Sequence, residues 1–172
     1  MEAIGSLITK LMFRNYIFFL FGLFLFSCST EPQQKTKPVP KTKIEVPVFN
    51  ADSAYYFVEK QVSFGPRVIS SFAWAECATW LEKKLKTYAE TVIIQEAPIT
   101  TYDRKNHTLK NIIASFSAEK NNRIALFAHW DSRHITDYDT INQESPILGA
   151  NDGGSGVGVL IELARLFKNK KP

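Results

Sequence analysis

The amino-acid sequence predicts an α/β fold, a three-layer helix-sheet-helix sandwich with a mixed sheet. Three observations carry that expectation. The periodic segments run helix, helix, strand, strand, strand, helix, an order that packs helices on a sheet. Arg123 to Ala128 is apolar on consecutive positions, as in a central strand covered on both faces. A glycine-rich turn then leads directly into an apolar, helix-periodic segment, Ser155 to Lys168.

Taken in order, the first 28 residues read as an export signal. Lys10 and Arg14 form a positive start, and Tyr16 to Phe26 is apolar but shorter than a comfortable membrane span of about 20 residues. It ends in Leu25-Phe26-Ser27-Cys28, which resembles the lipobox of bacterial lipoproteins and implies lipidation at Cys28. The expected location is the cell envelope, lipid-anchored, periplasmic or at the outer membrane. Residues 29–49 are rich in Pro, Gln, Lys and Thr and read as a flexible tether. Residues 50–172 then form the folded part.

The first helix starts near Asp52 or Ser53, either of which can cap it, and its apolar positions Ala54, Phe57, Val58 and Val62 keep the helical period. Phe64-Gly65-Pro66-Arg67 stops it. A second helix spans Ala73 to Tyr88, with Trp74, Cys77, Ala78, Leu81, Leu85 and Tyr88 on its inner face. Cys77 reads as core. With Cys28 assigned to lipid it has no disulfide partner.

Strands follow at Thr91 to Gln95 and Leu109 to Phe116, both β-branched and bounded by polar residues. Asn121-Asn122 predicts a tight turn that pairs Arg123 to Ala128 antiparallel with the strand before it. The last helix is expected to bury Val159, Leu160, Leu163, Ala164 and Phe167. A sandwich of this kind needs more strands and helices to cover the other sheet edge. The expectation is therefore a truncated domain, with its remainder beyond Pro172.

The net charge of +4 is scattered and local only in the two Lys-rich tails, so nucleic acid is excluded as a partner. There is no Gly-x-Ser-x-Gly elbow, no phosphate loop and no Cys-x-x-Cys pair. Chemistry concentrates instead behind the third strand, in His129-Trp130-Asp131-Ser132-Arg133, because ligands of open α/β sheets bind at the carboxyl ends of strands. In extended chain His129 and Asp131 share one face, so Asp131 can join the imidazole at a metal or orient it from behind. Gly149 to Gly156 then places Asp152 in a turn whose glycines permit close backbone approach.

Each signal alone has an ordinary explanation. A histidine at a strand end is more often hydrogen-bonded structure, and Asn-Asp-Gly-Gly is more often a plain turn. Glu144 and Asp137-Tyr138-Asp139 read as a solvated loop, and His107 and His134 as surface histidines. In combination the signals become specific. His-x-Asp, then Gly-Ala-Asn-Asp-Gly-Gly-Ser-Gly, then Val-Gly-Val-Leu-Ile-Glu-Leu-Ala-Arg resembles the two-zinc aminopeptidases and their one-zinc relatives, the glutaminyl-peptide cyclotransferases. Phe64-Gly65-Pro66-Arg67, Asn111-Ile112-Ile113-Ala114 and Pro146 to Asp152 are similar to the bacterial cyclases in particular.

The resemblance implies Zn2+, one ion for a cyclase and two for an aminopeptidase. It implies that Asp152 is a zinc ligand and that His129 is one only in the two-zinc case; Asp131, from its place beside His129, stands as a candidate to support the site from behind. The glutamate ligand, the catalytic glutamate and the final histidine are implied beyond Pro172. The expected activity is conversion of N-terminal glutamine of peptides or proteins to pyroglutamate with release of ammonia, an acyltransferase reaction. Two other readings stand beside it: a two-zinc aminopeptidase, and an inactive lipoprotein remnant.

Overall fold

The computed structural model describes residues 45–172, which form one unit by themselves. Residues 1–28, where an export signal and lipidation at Cys28 are expected, and all but the end of the expected tether lie outside the described residues. Residues 45–49 of that tether have no regular secondary structure and are exposed.

Asn50 caps the first helix, α1 (Ala51–Val62), by accepting a hydrogen bond on its side-chain oxygen from the Ser53 amide at 2.9 Å. The cap thus stands earlier than Asp52 or Ser53. Helix α2 (Phe72–Lys86) is capped in the same way by Ser71, whose hydroxyl accepts from the Trp74 amide. Its buried residues are Cys77, Ala78 and Leu81, as the period predicts. Burial pushes the Cys77 thiol up to about 11, so it stays protonated and acts as a small apolar side chain.

Strands β1 (Thr91–Thr100) and β2 (Asn106–Ser115) form an antiparallel pair, with Val92 opposite Ala114 and Ile94 opposite Ile112. Those four face inward, while the neighbouring pair Ile93 and Ile113 faces out. Both strands are longer than their β-branched cores, because the ladder continues through Pro98 and Thr108 to the loop at Thr101 to Lys105.

Arg123 to Ala128 departs from expectation. The segment is neither paired in a ladder nor covered on both faces: among the described residues, the only sheet is β1–β2. Ile124 and Phe127 are each 90% exposed. β2 pairs with β1 on one edge, and residues 123–128 form no ladder on its other edge. Only Ala128 and then Trp130 reach the core, where they meet Phe57, Cys77, Leu81, Val157 and Ile161.

The last helix, α3 (Ser155–Asn169), also corrects one detail. Its buried stripe is Val157, Gly158, Ile161, Glu162 and Ala164, whereas Val159 is 43% exposed. Apolar residues surround this helix on most sides, so contact with α1 decides which face is buried. The buried Glu162 is held by Arg165 on both oxygens and accepts from the Asn50 amide at 2.9 Å, fastening α3 to the start of α1. Arg165 and the Asn50 amide keep its carboxyl below the usual range.

The α/β class therefore holds, with helices packed against a sheet that has two strands among the described residues. No helix among the described residues is long and apolar enough to cross a membrane.

Candidate metal site

The site begins with an alternation along extended chain. Ala128 and Trp130 turn inward, and Trp130 is fixed by stacking on Trp74 at 5.1 Å and by donating from Nε1 to the Lys110 carbonyl at 3.3 Å. With those two inside, His129 and Asp131 must point outward to one common side. Ser132 follows, buried, and its amide donates to the Arg67 carbonyl at 3.0 Å.

Asp152 arrives from a wide turn, Ala150–Gly154, that precedes α3. Gly153 has φ +90°, a conformation that residues with a side chain rarely adopt, and a Cβ there would sit 2.7 Å from both Cε1 and the carbonyl oxygen of His129. Glycine is what lets the turn lie against the imidazole.

The two segments meet around one ring. His129 Nε2 lies 3.1 Å from Asp152 Oδ1, while on the opposite edge Nδ1 lies 3.5 Å from Asp131 Oδ1 and 3.2 Å from the Asp131 carbonyl oxygen. Arg133 donates to Asp152 Oδ2 at 3.4 Å and to Asp137 Oδ1 at 2.9 Å. These two carboxylates hold the Arg133 guanidinium above its ordinary range, Asp152 contributing most. His129, Asp131, Arg133 and Asp152 are each about half exposed, so their attractions add little to stability and serve mainly to set orientation. A cleft of about 380 Å³ opens over them, lined also by Val68, Ile69, Ser132 and His134.

His129, Asp131 and Asp152, named from sequence, are thus brought together. The remaining candidates are dispersed: Asp139 caps a local turn by accepting from the Ile141 amide, and Glu144 lies in a separate exposed loop. His107 is half-buried and pairs with the Ser70 hydroxyl at 2.9 Å, and His134 is exposed but lines the cleft. Sequence reasoning missed Arg133 as the partner of Asp152, and named Arg67 only within Phe64-Gly65-Pro66-Arg67, with no role of its own. The available signal for Arg67 was a lone cation within the run Gly-Pro-Arg-Val-Ile, which has no charged neighbour.

The donor chemistry fits zinc, which takes imidazole nitrogen and carboxylate oxygen. Asp152 and the Nε2 edge of His129 face the same space, and Asp131 stands behind the ring. Among the described residues no group of three His, Cys, Asp or Glu side chains is arranged to hold a metal ion.

Residues 111–172, which contain all of this constellation, match the model of peptidase family M28. A solved structure of Tannerella forsythia glutaminyl cyclase is 48% identical, with a TM-score of 0.72, over 73% of this chain and 44% of that one. The chain is similar to structures of the zinc exopeptidase-like superfamily. A leucine aminopeptidase precursor from Bacteroides thetaiotaomicron is 46% identical, with a TM-score of 0.73, over 75% of this chain and 45% of that one. A Leptosphaeria maculans protein named as a probable zinc metalloprotease is 26% identical over 79% of this chain. The chain spans 35% of that relative's length and under half of either solved structure. Superfamily members of this kind thus include both cyclases and peptidases.

Proposed function

We propose that this chain is part of a one-zinc glutaminyl cyclase that acts on the N-termini of exported peptides or proteins. The reading rests on one observation: Asp152 and His129 stand 3.1 Å apart inside a region that is close in sequence and shape to a solved glutaminyl cyclase. In such a reaction the α-amine of an N-terminal glutamine attacks its own side-chain amide carbon. A ring C–N bond forms and ammonia leaves.

The residue of this chain that would hold the ion is Asp152. Bound zinc supplies polarisation of the amide carbonyl and stabilisation of the developing oxyanion. His129 and Arg133 each hold one oxygen of the Asp152 carboxylate and so fix its direction. Asp131 in turn holds the far edge of His129. Val68 and Ile69 give the cleft an apolar wall that can exclude water from the reacting amide.

A second reading, a two-zinc aminopeptidase, is favoured by the Nε2 edge of His129, which faces Asp152 as a ligand to a second ion would. The discriminating experiment is elemental analysis of the full-length protein with assays on glutaminyl and leucyl amides. The expected result is one zinc per chain, ammonia release only from N-terminal glutamine, and one zinc retained in His129→Ala. Two zincs with release of free leucine, one ion being lost in His129→Ala, would overturn the cyclase in favour of the peptidase.

The reading also places the enzyme in the cell envelope, held by lipid on Cys28, on the strength of Leu25 to Cys28 following an apolar run. Mass spectrometry of the mature N-terminus should find lipidated Cys28. An N-terminus at Met1, or unlipidated cleavage elsewhere, would refute it.

A further inference from the structure

Arg67 is fully buried, which is unusual for a guanidinium without an acid beside it. Among the described residues no carboxylate lies within ion-pair distance of it. Its partners are main-chain carbonyls. Nε donates to Trp130 at 2.8 Å, Nη1 to Leu148 at 2.8 Å, and Nη2 to Gly149 at 3.0 Å. Nη1 also lies 3.3 Å from the Gln61 carbonyl and 3.4 Å from that of Gly65.

The location of those carbonyls is informative. Trp130 lies between His129 and Asp131, and Gly149 opens the turn that carries Asp152. One rigid, planar fork therefore joins the two strips of chain that bear the site's side chains. The Arg67 carbonyl adds a further tie by accepting from the Ser132 amide. No sheet ladder performs this function among the described residues, since residues 123–133 and 146–149 lie outside the β1–β2 pair. Further polar ties are Gln61, which donates to the Gly154 carbonyl at 3.0 Å, the Ile147 amide, which donates to the Arg133 carbonyl at 3.2 Å, and the exposed contacts of Asp152 with His129 and Arg133.

We propose that Arg67 is a positioning residue of the metal site, its guanidinium setting the separation between the His129 strip and the Asp152 turn. The inference rests on the metal reading given above. Lysine cannot replace arginine here, because an ammonium is a point donor and cannot span the Trp130, Leu148 and Gly149 carbonyls in one plane. Gly149 belongs to the same joint: its φ is +61°, and a Cβ there would lie 3.1 Å from Arg67 Nη2 and 2.9 Å from the Asp152 carbonyl oxygen.

The test uses the full-length protein with Arg67→Lys and, as a core control outside the fork's hydrogen bonds, Ile161→Val. Zinc affinity is measured by competition with a chromophoric chelator, and coordination by the visible spectrum of the cobalt-loaded protein. Arg67→Lys should raise the zinc dissociation constant by about 10- to 100-fold, as loss of an outer-shell partner does, and should shift the cobalt bands. Ile161→Val should lower the melting temperature while leaving both unchanged. Wild-type affinity and spectrum in Arg67→Lys would overturn the proposal and leave the metal reading intact. Should Arg67→Lys fail to fold, Gly149→Ala disturbs the same joint with the cation retained, and is judged by the same two outcomes. Undiminished zinc binding by Asp152→Ala would instead remove the metal reading, and this proposal with it.

Discussion

Asp152→Ala in the full-length protein will lose its zinc and its turnover together while keeping its fold. Asp152 is the carboxylate that the turn Ala150–Gly154 carries into the cleft, and both of its oxygens are already directed, one by His129 Nε2 and the other by Arg133. A catalytic zinc has about three protein ligands, so removing one leaves too few to retain it. The affinity loss should exceed about 100-fold, the upper end of what loss of a mere outer-shell partner costs. Stability should change little, because the side chain is 47% exposed and its ion pairs are solvated. The measurements are metal content after dialysis, rate of ammonia release, and a thermal melt. Unchanged zinc and unchanged rate would remove Asp152 from the site.

The next largest effect is expected at a residue that has no functional group at all. Gly153→Ala should also strip the metal, and unlike Asp152→Ala it should lower stability, by about 1–3 kcal/mol, the usual cost of forcing extra atoms into a packed site. Two terms add. The backbone at φ +90° disfavours any side chain, and the new methyl would stand 2.7 Å from two atoms of His129. The chain can relieve the contact only by moving the imidazole or by re-forming the turn, and either motion breaks the 3.1 Å approach of His129 to Asp152. A Gly153→Ala protein with wild-type melting temperature and zinc content would show that the turn has room to spare. Comparison with Asp152→Ala separates the causes, since one variant removes a ligand and the other removes only the close approach.

What the sequence determined by itself is local. Helical period located α1, α2 and α3 to within a few residues, because three or four apolar positions per two turns cannot be satisfied by extended chain. The cap of α1 was misplaced, since Asn50, Asp52 and Ser53 are all competent and only the geometry of chain entry selects Asn50. Extended alternation put His129 and Asp131 on one side, a property of neighbouring residues, but only the resemblance of the combined motifs joined Asp152 to them.

The tertiary structure decided what depends on distant partners. Helix α3 is apolar on most sides, so its own sequence could not say that Ile161 would be buried and Val159 exposed; contact with α1 made that choice. Arg123 to Ala128 has the composition of a covered strand, yet pairing and cover depend on neighbours distant in sequence, and among the described residues the only ladder is β1–β2. Arg67 has the same character. A guanidinium reaching carbonyls 63 to 82 residues away leaves no periodic trace, because hydrogen bonds to main-chain oxygen do not depend on which side chains the partners carry.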